Sequence, residues 1–219
     1  MTLFVAATEF EILPLQNHLL ANGETIAPNV FSIHGRIVAL LVTGVGQAHT
    51  AYALGRVFAT GTYDLVINAG VAGAFSPDFR LGEVVQVVTE RFADLGVEER
   101  DGHFTDMWEL GLIGHNQPPY QLGWLENPAP IDLPNISNVR GLTVNTVHGE
   151  AKSIAKIRQK YPADIETMEG AALFFACLTS GVPFAQLRAV SNHVEPRNRD
   201  NWQLGLAIEN LNKVLISLI

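Results

Sequence analysis

Apolar runs that are consecutive rather than alternating set the strongest limit on how this chain folds. Leu3 to Ala7, Ile37 to Thr43 and Leu65 to Ala69 are such runs, and Leu81 to Thr89, with Val84, Val85, Val87 and Val88, is nearly one. A strand of this kind is buried on both faces, so helices must cover the sheet on each side. The intervening segments supply them. Thr8 precedes a helix carrying Leu13, Leu15, Leu19 and Leu20, and a second helix is expected from about Gln47 to Ala59. Glu150 to Tyr161 reads as a helix stopped by Pro162. An apolar helix with Ala171, Leu173, Phe174, Phe175, Cys177 and Leu178 is stopped by Gly181 and Pro183. Trp202 to Leu218 places Leu204, Ile208, Leu211 and Leu215 on one face of a last helix. Strands and helices therefore alternate, and a hairpin-like pair about Gly35 (Phe31 to His34, Ile37 to Thr43) makes the sheet mixed. The expected class is α/β, and 219 residues require no second domain, so one domain over 1–219 is expected.

Between Arg91 and Asn138 the periodicity fails. Pro118, Pro119, Pro128, Pro130 and Pro134 mark a long excursion, with a short helix expected around Asp106 to Ile113. Such an excursion suits substrate contacts or a subunit interface. The net charge of −8 argues against nucleic acid or an anionic membrane surface as a partner. No segment approaches the length of a membrane span, and the first residues form no basic leader. The single cysteine, Cys177, excludes an intrachain disulfide, reads as inert packing, and fits the cytoplasm.

Chemistry concentrates between Ile165 and Trp202. Glu169 stands between Met168 and the small residues Gly170, Ala171 and Ala172, where its carboxylate stays accessible. An acceptor-only carboxylate suits the adjacent 2′- and 3′-hydroxyls of a ribose, although a carboxylate at a helix start also simply favours the helix dipole. Past the strand Phe184 to Val190, Ser191 and Asn192 come to the same edge of the sheet, where open α/β sheets bind ligands. Glu11 has two compatible readings. With Thr8 it forms the spacing of a capping box, and it also lies just beyond the first strand, where a general base for water is useful.

The glycine corners Gly44-Val45-Gly46 and Gly70 to Gly73 fall short of a dinucleotide or ATP fingerprint, so no cofactor is expected. The seven histidines show no metal-ligand spacing, and no metal is expected. His148 and His193 lie near strand ends and are the two weighed for substrate contact, against their plain reading as loop histidines.

Several segments, taken in order, resemble the nucleoside phosphorylase and nucleosidase superfamily. They are Ala-Ala-Thr-Glu-Phe-Glu (6 to 11), Thr-Gly-Val-Gly (43 to 46), Ile-Asn-Ala-Gly-Val-Ala-Gly-Ala (67 to 74), Leu-Gly-Glu-Val-Val (81 to 85), Glu-Thr-Met-Glu-Gly-Ala-Ala (166 to 172) and Leu-Arg-Ala-Val-Ser-Asn (187 to 192). Within it the chain is most similar to the 5′-methylthioadenosine/S-adenosylhomocysteine nucleosidases and the futalosine hydrolases of menaquinone biosynthesis. The resemblance implies a three-layer α/β/α sandwich with a central mixed, twisted sheet. It further implies that Glu11 activates water, that Met168 and Glu169 hold the ribose, and that Asn192, with Ser191 before it, addresses the purine. Gly73 and Val147 are expected against the substrate, and a homodimer or higher homo-oligomer is implied because such proteins commonly pair.

Two departures sharpen this. Where the phosphorylases of the superfamily carry an arginine and a serine for phosphate, this chain has Asn68 and Val71, which favours hydrolysis over phosphorolysis. Where adenine-releasing nucleosidases have aspartate, it has Asn192, whose NH2 offers donors to the N7 and O6 acceptors of a 6-oxopurine. The run Ser-Asn-His-Val-Glu-Pro-Arg-Asn-Arg-Asp-Asn-Trp (191 to 202) is most like the futalosine enzymes. Futalosine has a carboxylated aromatic arm, for which Arg197 or Arg199 is the expected partner. The expected activity is hydrolysis of futalosine to hypoxanthine and dehypoxanthine futalosine. The alternatives are a methylthioadenosine or S-adenosylhomocysteine nucleosidase and a noncatalytic purine-nucleoside sensor.

Overall fold

A computed structural model describes residues 1–219. The elements in order are β1 (Thr2–Ala6), α1 (Glu9–Asn22), β2 (Glu24–Ala27), β3 (Val30–Ile33), β4 (Arg36–Val42), α2 (Gln47–Phe58), β5 (Leu65–Ala74), β6 (Val84–Phe92), β7 (Gly96–Glu98) and β8 (Phe104–Asp106). There follow β9 (Tyr120–Gln121), β10 (Trp124–Glu126), β11 (Ser137–Thr143), α3 (Ala151–Lys160), β12 (Ile165–Thr167), α4 (Gly170–Ser180), β13 (Phe184–His193) and α5 (Leu204–Ser217). No helix is long and apolar enough to cross a membrane.

The consecutive apolar runs behave as their composition demands. In β1, Leu3 and Val5 join a core that includes Leu54 of α2 and Leu173, Phe174 and Cys177 of α4. Phe4 and Ala6 face the other way, into a core with Ile12, Leu15 and Leu19 of α1 and Leu211 and Leu215 of α5. A third cluster packs Ile154 and Ile157 of α3 on Leu142 and Val144. The result is a mixed sheet between two helical layers, the sandwich that its apolar strands require.

The sheet runs β2-β3-β4-β1-β5-β12-β11-β6-β10-β9, and β13 pairs with both β5 and β6. That double pairing closes β5, β12, β11, β6 and β13 into a ring. β5 is parallel to β13 and antiparallel to β12, and Gly73 of β5 pairs with Glu166 on one side and Asn192 on the other. An open sheet edge is therefore not what carries the site; the rim of this ring does.

The excursion after β6 differs from expectation at Asp106 to Ile113, which forms turns instead of a helix. The Asp106 carboxylate accepts from the N–H groups of Trp108 and Glu109 and so caps a single turn, which Gly111 ends at a φ of 68°. The excursion is pinned from β6 by Arg91. Its guanidinium meets Asp106 at 2.6 Å and lies 4.2 Å from the Trp108 ring centroid and 4.9 Å from that of Tyr161. In α1, Leu13 and Leu20 are exposed, and Ile12, Leu15 and Leu19 form the buried stripe.

Candidate active site

A cavity of about 470 Å3 opens at the ring's rim between the starts of α1 and α2, the ends of β5 and β13, and the loop leading to α5. Glu11, Gly73, Val147, Met168, Glu169, Asn192 and Arg197 line it, so seven of the nine expected site residues are brought together. Ser191 and Arg199 are not. A larger hollow of about 730 Å3 lies among Pro118, Pro119, Tyr120, Leu122, Trp124 and Arg140, but its one acidic residue is the exposed Glu126. The smaller cavity holds the buried carboxylates and is the better candidate for chemistry.

Glu11 closes the capping box and also lines the cavity. Its Oε2 accepts from the backbone and the hydroxyl of Thr8, each at 3.0 Å, which closes the capping box. Its Oε1 accepts from the backbone N–H of Val71 at 3.2 Å. Three donors thus fix a buried carboxylate at the mouth of β1 without removing it from the cavity.

Glu169 lies just beyond β12 and immediately precedes α4, yet its side chain makes no cap bond to that helix. It reaches instead to the N-terminus of α2, where Oε1 accepts from Gly46 N–H at 3.0 Å. Gly46 stands there at a φ of 95°, a backbone setting that glycine adopts freely. The dipole reading survives, then, with a different helix as the partner.

Sequence reasoning missed Arg188. It lies inside β13, 1% exposed, and its NH1 sits 3.5 Å from Glu169 Oε2 and 3.4 Å from the Val71 carbonyl. Its Nε and NH2 find no partner within the protein. A Cβ at Gly70 would collide with both this guanidinium and Glu11 Oε1, so the bare glycine is what lets Glu11 and Arg188 approach. The signal was present: an arginine in a strand that is otherwise buried must have a carboxylate partner. The site is thus not free of arginine, as Asn68 and Val71 alone suggest. Asn68 points inward and donates to Gln186 at 2.8 Å. One guanidinium between two carboxylates leaves a net charge of −1, which is a poor place for a phosphate dianion.

At the opposite wall, the Ser191 hydroxyl reaches Asn192 Oδ1 at 2.8 Å. One Asn192 N–H goes to the His193 carbonyl at 3.0 Å, which leaves a single amide donor for a base where two were expected. Beside Gly73, Glu166 accepts from the backbone N–H of His148 at 3.0 Å and from its Nδ1 at 2.7 Å. The two residues stand 18 apart in the sequence, a spacing that gives no sign of the pair.

Arg197 comes to the cavity with its guanidinium 5.1 Å from the Trp202 ring centroid, and Trp202 lines the cavity too. Arg199 lies behind that ring at 5.8 Å, in the single turn Arg199–Asn201, and does not reach the cavity. Deep behind α4, Glu90 accepts from Gln186 at 2.6 Å and Thr143 at 2.9 Å, and burial pushes its pKa up to about 7.

A family profile described as "Phosphorylase superfamily" matches residues 2–219. A futalosine hydrolase of Streptomyces coelicolor is 38% identical over 180 residues, 78% of this chain and 74% of that protein. A 5′-methylthioadenosine/S-adenosylhomocysteine nucleosidase of Maridesulfovibrio salexigens is 29% identical, over 87% of this chain and 84% of that protein. The solved futalosine hydrolase of Helicobacter pylori superposes with a TM-score of 0.78, covering 99% of this chain and 96% of that one. At 15% identity that likeness speaks for the fold alone.

Proposed function

This chain belongs to the phosphorylase superfamily and, within it, to the futalosine hydrolases, and from that membership we propose a division of labour among its site residues. The reaction is hydrolysis of the N-glycosidic bond of futalosine, releasing hypoxanthine and leaving dehypoxanthine futalosine. Glu11 accepts a proton from water as the water closes on C1′. Arg188, whose Nε and NH2 are buried without a partner in the chain, lies beside Glu11 and Glu169 and holds that water's oxygen from behind the cavity wall. Glu169 and Met168 hold the ribose, and the two hydrogen bonds its carboxylate offers the hydroxyls contribute about 1.5–3 kcal/mol each. The sugar gains positive charge as the bond breaks, and the net −1 of Glu11, Arg188 and Glu169 stabilises that charge more than it does the ground state.

The flat base lies over Gly73, which has no side chain, with Asn192 at its edge. Arg197 with Trp202 supplies a cation and a ring face for the carboxylated aromatic arm. We place the protein in the cytoplasm as a homodimer or higher homo-oligomer, with no cofactor and no metal.

The single observation that carries the reading is the pair Glu11 and Glu169 opposite Asn192 in one cavity, with buried Arg188 packed against both carboxylates behind its wall. The test incubates pure protein with futalosine, methylthioadenosine or inosine, with and without phosphate. Phosphate-independent release of hypoxanthine from futalosine is expected. Phosphate-dependent release, or preference for methylthioadenosine, would overturn the assignment.

A further inference from the structure

Asparagine holds no acidic proton, yet a purine leaving as an anion needs one. Glu11 and Glu169 are carboxylates on the sugar side, and Arg188 stays charged in any protein. On the base side a small hollow of about 50 Å3 adjoins the main cavity, sharing Gly73, Glu166 and Asn192 with it. His148 lines this hollow. Its Nδ1 is 2.7 Å from the Glu166 carboxylate, its side chain is 16% exposed and that of Glu166 3% exposed, and its Nε2 makes no hydrogen bond within the chain. His193, the other imidazole of the hollow, is tied by Nε2 to the Phe79 carbonyl at 3.0 Å.

We propose that His148, held by Glu166, is the acid that protonates the departing base. This rests on the hydrolase reading above. The arrangement resembles the orienting of a general base by a third group, run in the opposite sense: the carboxylate fixes the ring through Nδ1 and leaves Nε2 free of any bond within the chain. Glu166 and Asn192 come from strands on either side of Gly73, so a planar ring lying over that glycine meets the amide on one flank and, on the other, the carboxylate that carries the imidazole. Asn192 supplies one donor to the N7 and O6 edge, and His148 Nε2–H supplies the second. The C1′–N9 bond then breaks, and its electron pair passes into the purine, which takes the proton from Nε2. Water adds its oxygen to C1′ and leaves its proton on Glu11. The neutral imidazole keeps Nδ1–H on Glu166, and solvent carries the Glu11 proton back to Nε2.

Other charged groups border the imidazole without bonding to it. Beside Glu166 of β12 these are His193, Glu195 and Arg197 from β13 and the loop beyond, Asp94 and Glu98 from β7 and the turn before it, and Lys156 and Lys160 from α3. Arg197 lies against Trp202, Lys160 bonds Glu109, Lys156 bonds the Gly102 carbonyl, and Asp94 accepts from Gln47 and Asn145, so Glu166 is the one direct partner.

The test is the pH profile of kcat for hypoxanthine release from futalosine by the full chain, its Glu166→Gln variant and its His148→Asn variant. The wild-type rate should fall on the alkaline side as the imidazolium is lost. Glu166→Gln should move that limb to lower pH, because the ring loses the carboxylate in contact with its Nδ1. His148→Asn should abolish the limb and lower kcat by about 10²–10⁴-fold, with KM changed little. A structural role for the pair would lower rates without moving the limb. A wild-type profile flat to about pH 9, or a limb unmoved in Glu166→Gln, overturns the proposal; the wild-type profile decides even if a variant fails to fold. Turnover with an unmoved limb defeats only this step, whereas absent or phosphate-dependent release defeats the hydrolase reading itself.

Discussion

The side-chain amide of Asn212, in the last helix, donates to the backbone carbonyl of Glu11 at 2.8 Å while its oxygen accepts from Leu15 N–H at 3.0 Å. Those two backbone groups are the pair that a helical i to i+4 bond would join, and Pro14 lies between them. Proline opens the ladder of α1, and Asn212 enters the opened turn. Asn212→Leu should strand both groups at a cost of about 1–3 kcal/mol for each buried one, and it should also lower kcat because Glu11 loses its backbone anchor. Urea unfolding and steady-state kinetics read the two effects. A loss of stability with unchanged kcat would reduce Asn212 to a helix brace.

Glu11→Gln and Glu169→Gln should separate chemistry from binding. The first should abolish turnover while substrate still binds, since the amide cannot take the water's proton. The second should weaken ribose recognition and slow the reaction together, because it also deprives buried Arg188 of its 3.5 Å partner. Calorimetric binding alongside kcat distinguishes them; near-normal rates in Glu11→Gln would leave that residue as a cap only.

Asn192→Asp should shift preference toward 6-aminopurine nucleosides, as the carboxylate replaces an amide donor with an acceptor for the amino group. The ratio of kcat/KM for methylthioadenosine and futalosine measures this. An unchanged ratio would remove Asn192 from base choice.

Glu90 should make stability fall with rising pH. Its folded pKa of about 7 lies above the ordinary 4.5, so the folded state keeps a proton that the unfolded chain gives up. The full contribution is present below about 4.5 and is lost as pH rises through about 7, a swing of about 3 kcal/mol. Glu90→Gln removes the titration, so the variant should match wild type near pH 4 and exceed it near pH 8. Urea midpoints at the two values test this, and a constant difference between the proteins would refute it.

The interior strands were legible because two-sided burial leaves an unbroken apolar run, and Glu11, Glu169 and Asn192 were legible because they sit where such runs stop. Ring closure was not. β12 has three residues, too few to show a period, and the pairing of β13 with both β5 and β6 is written in no local pattern. Strands of two or three residues also hid the order in the excursion, where the Arg91 and Asp106 pair does the work that periodicity does elsewhere. Arg188 was visible as a letter but was read as part of a strand, and the His148 and Glu166 contact joins positions that only the fold makes neighbours.

The closed ring has a kinetic consequence. β5 ends by residue 74, but the strands that flank it on the ring, β12 and β13, span residues 165 to 193. A chain made from its N-terminus must therefore carry one edge of β5 and one of the valine-rich β6 unpaired until β13 exists. Joining such distant segments costs loop-closure entropy before any contact is gained, so folding should be slow and should depend on the last third of the chain. Stalled or truncated chains are then the species most exposed to strand-to-strand aggregation, and none of them can hold a complete site.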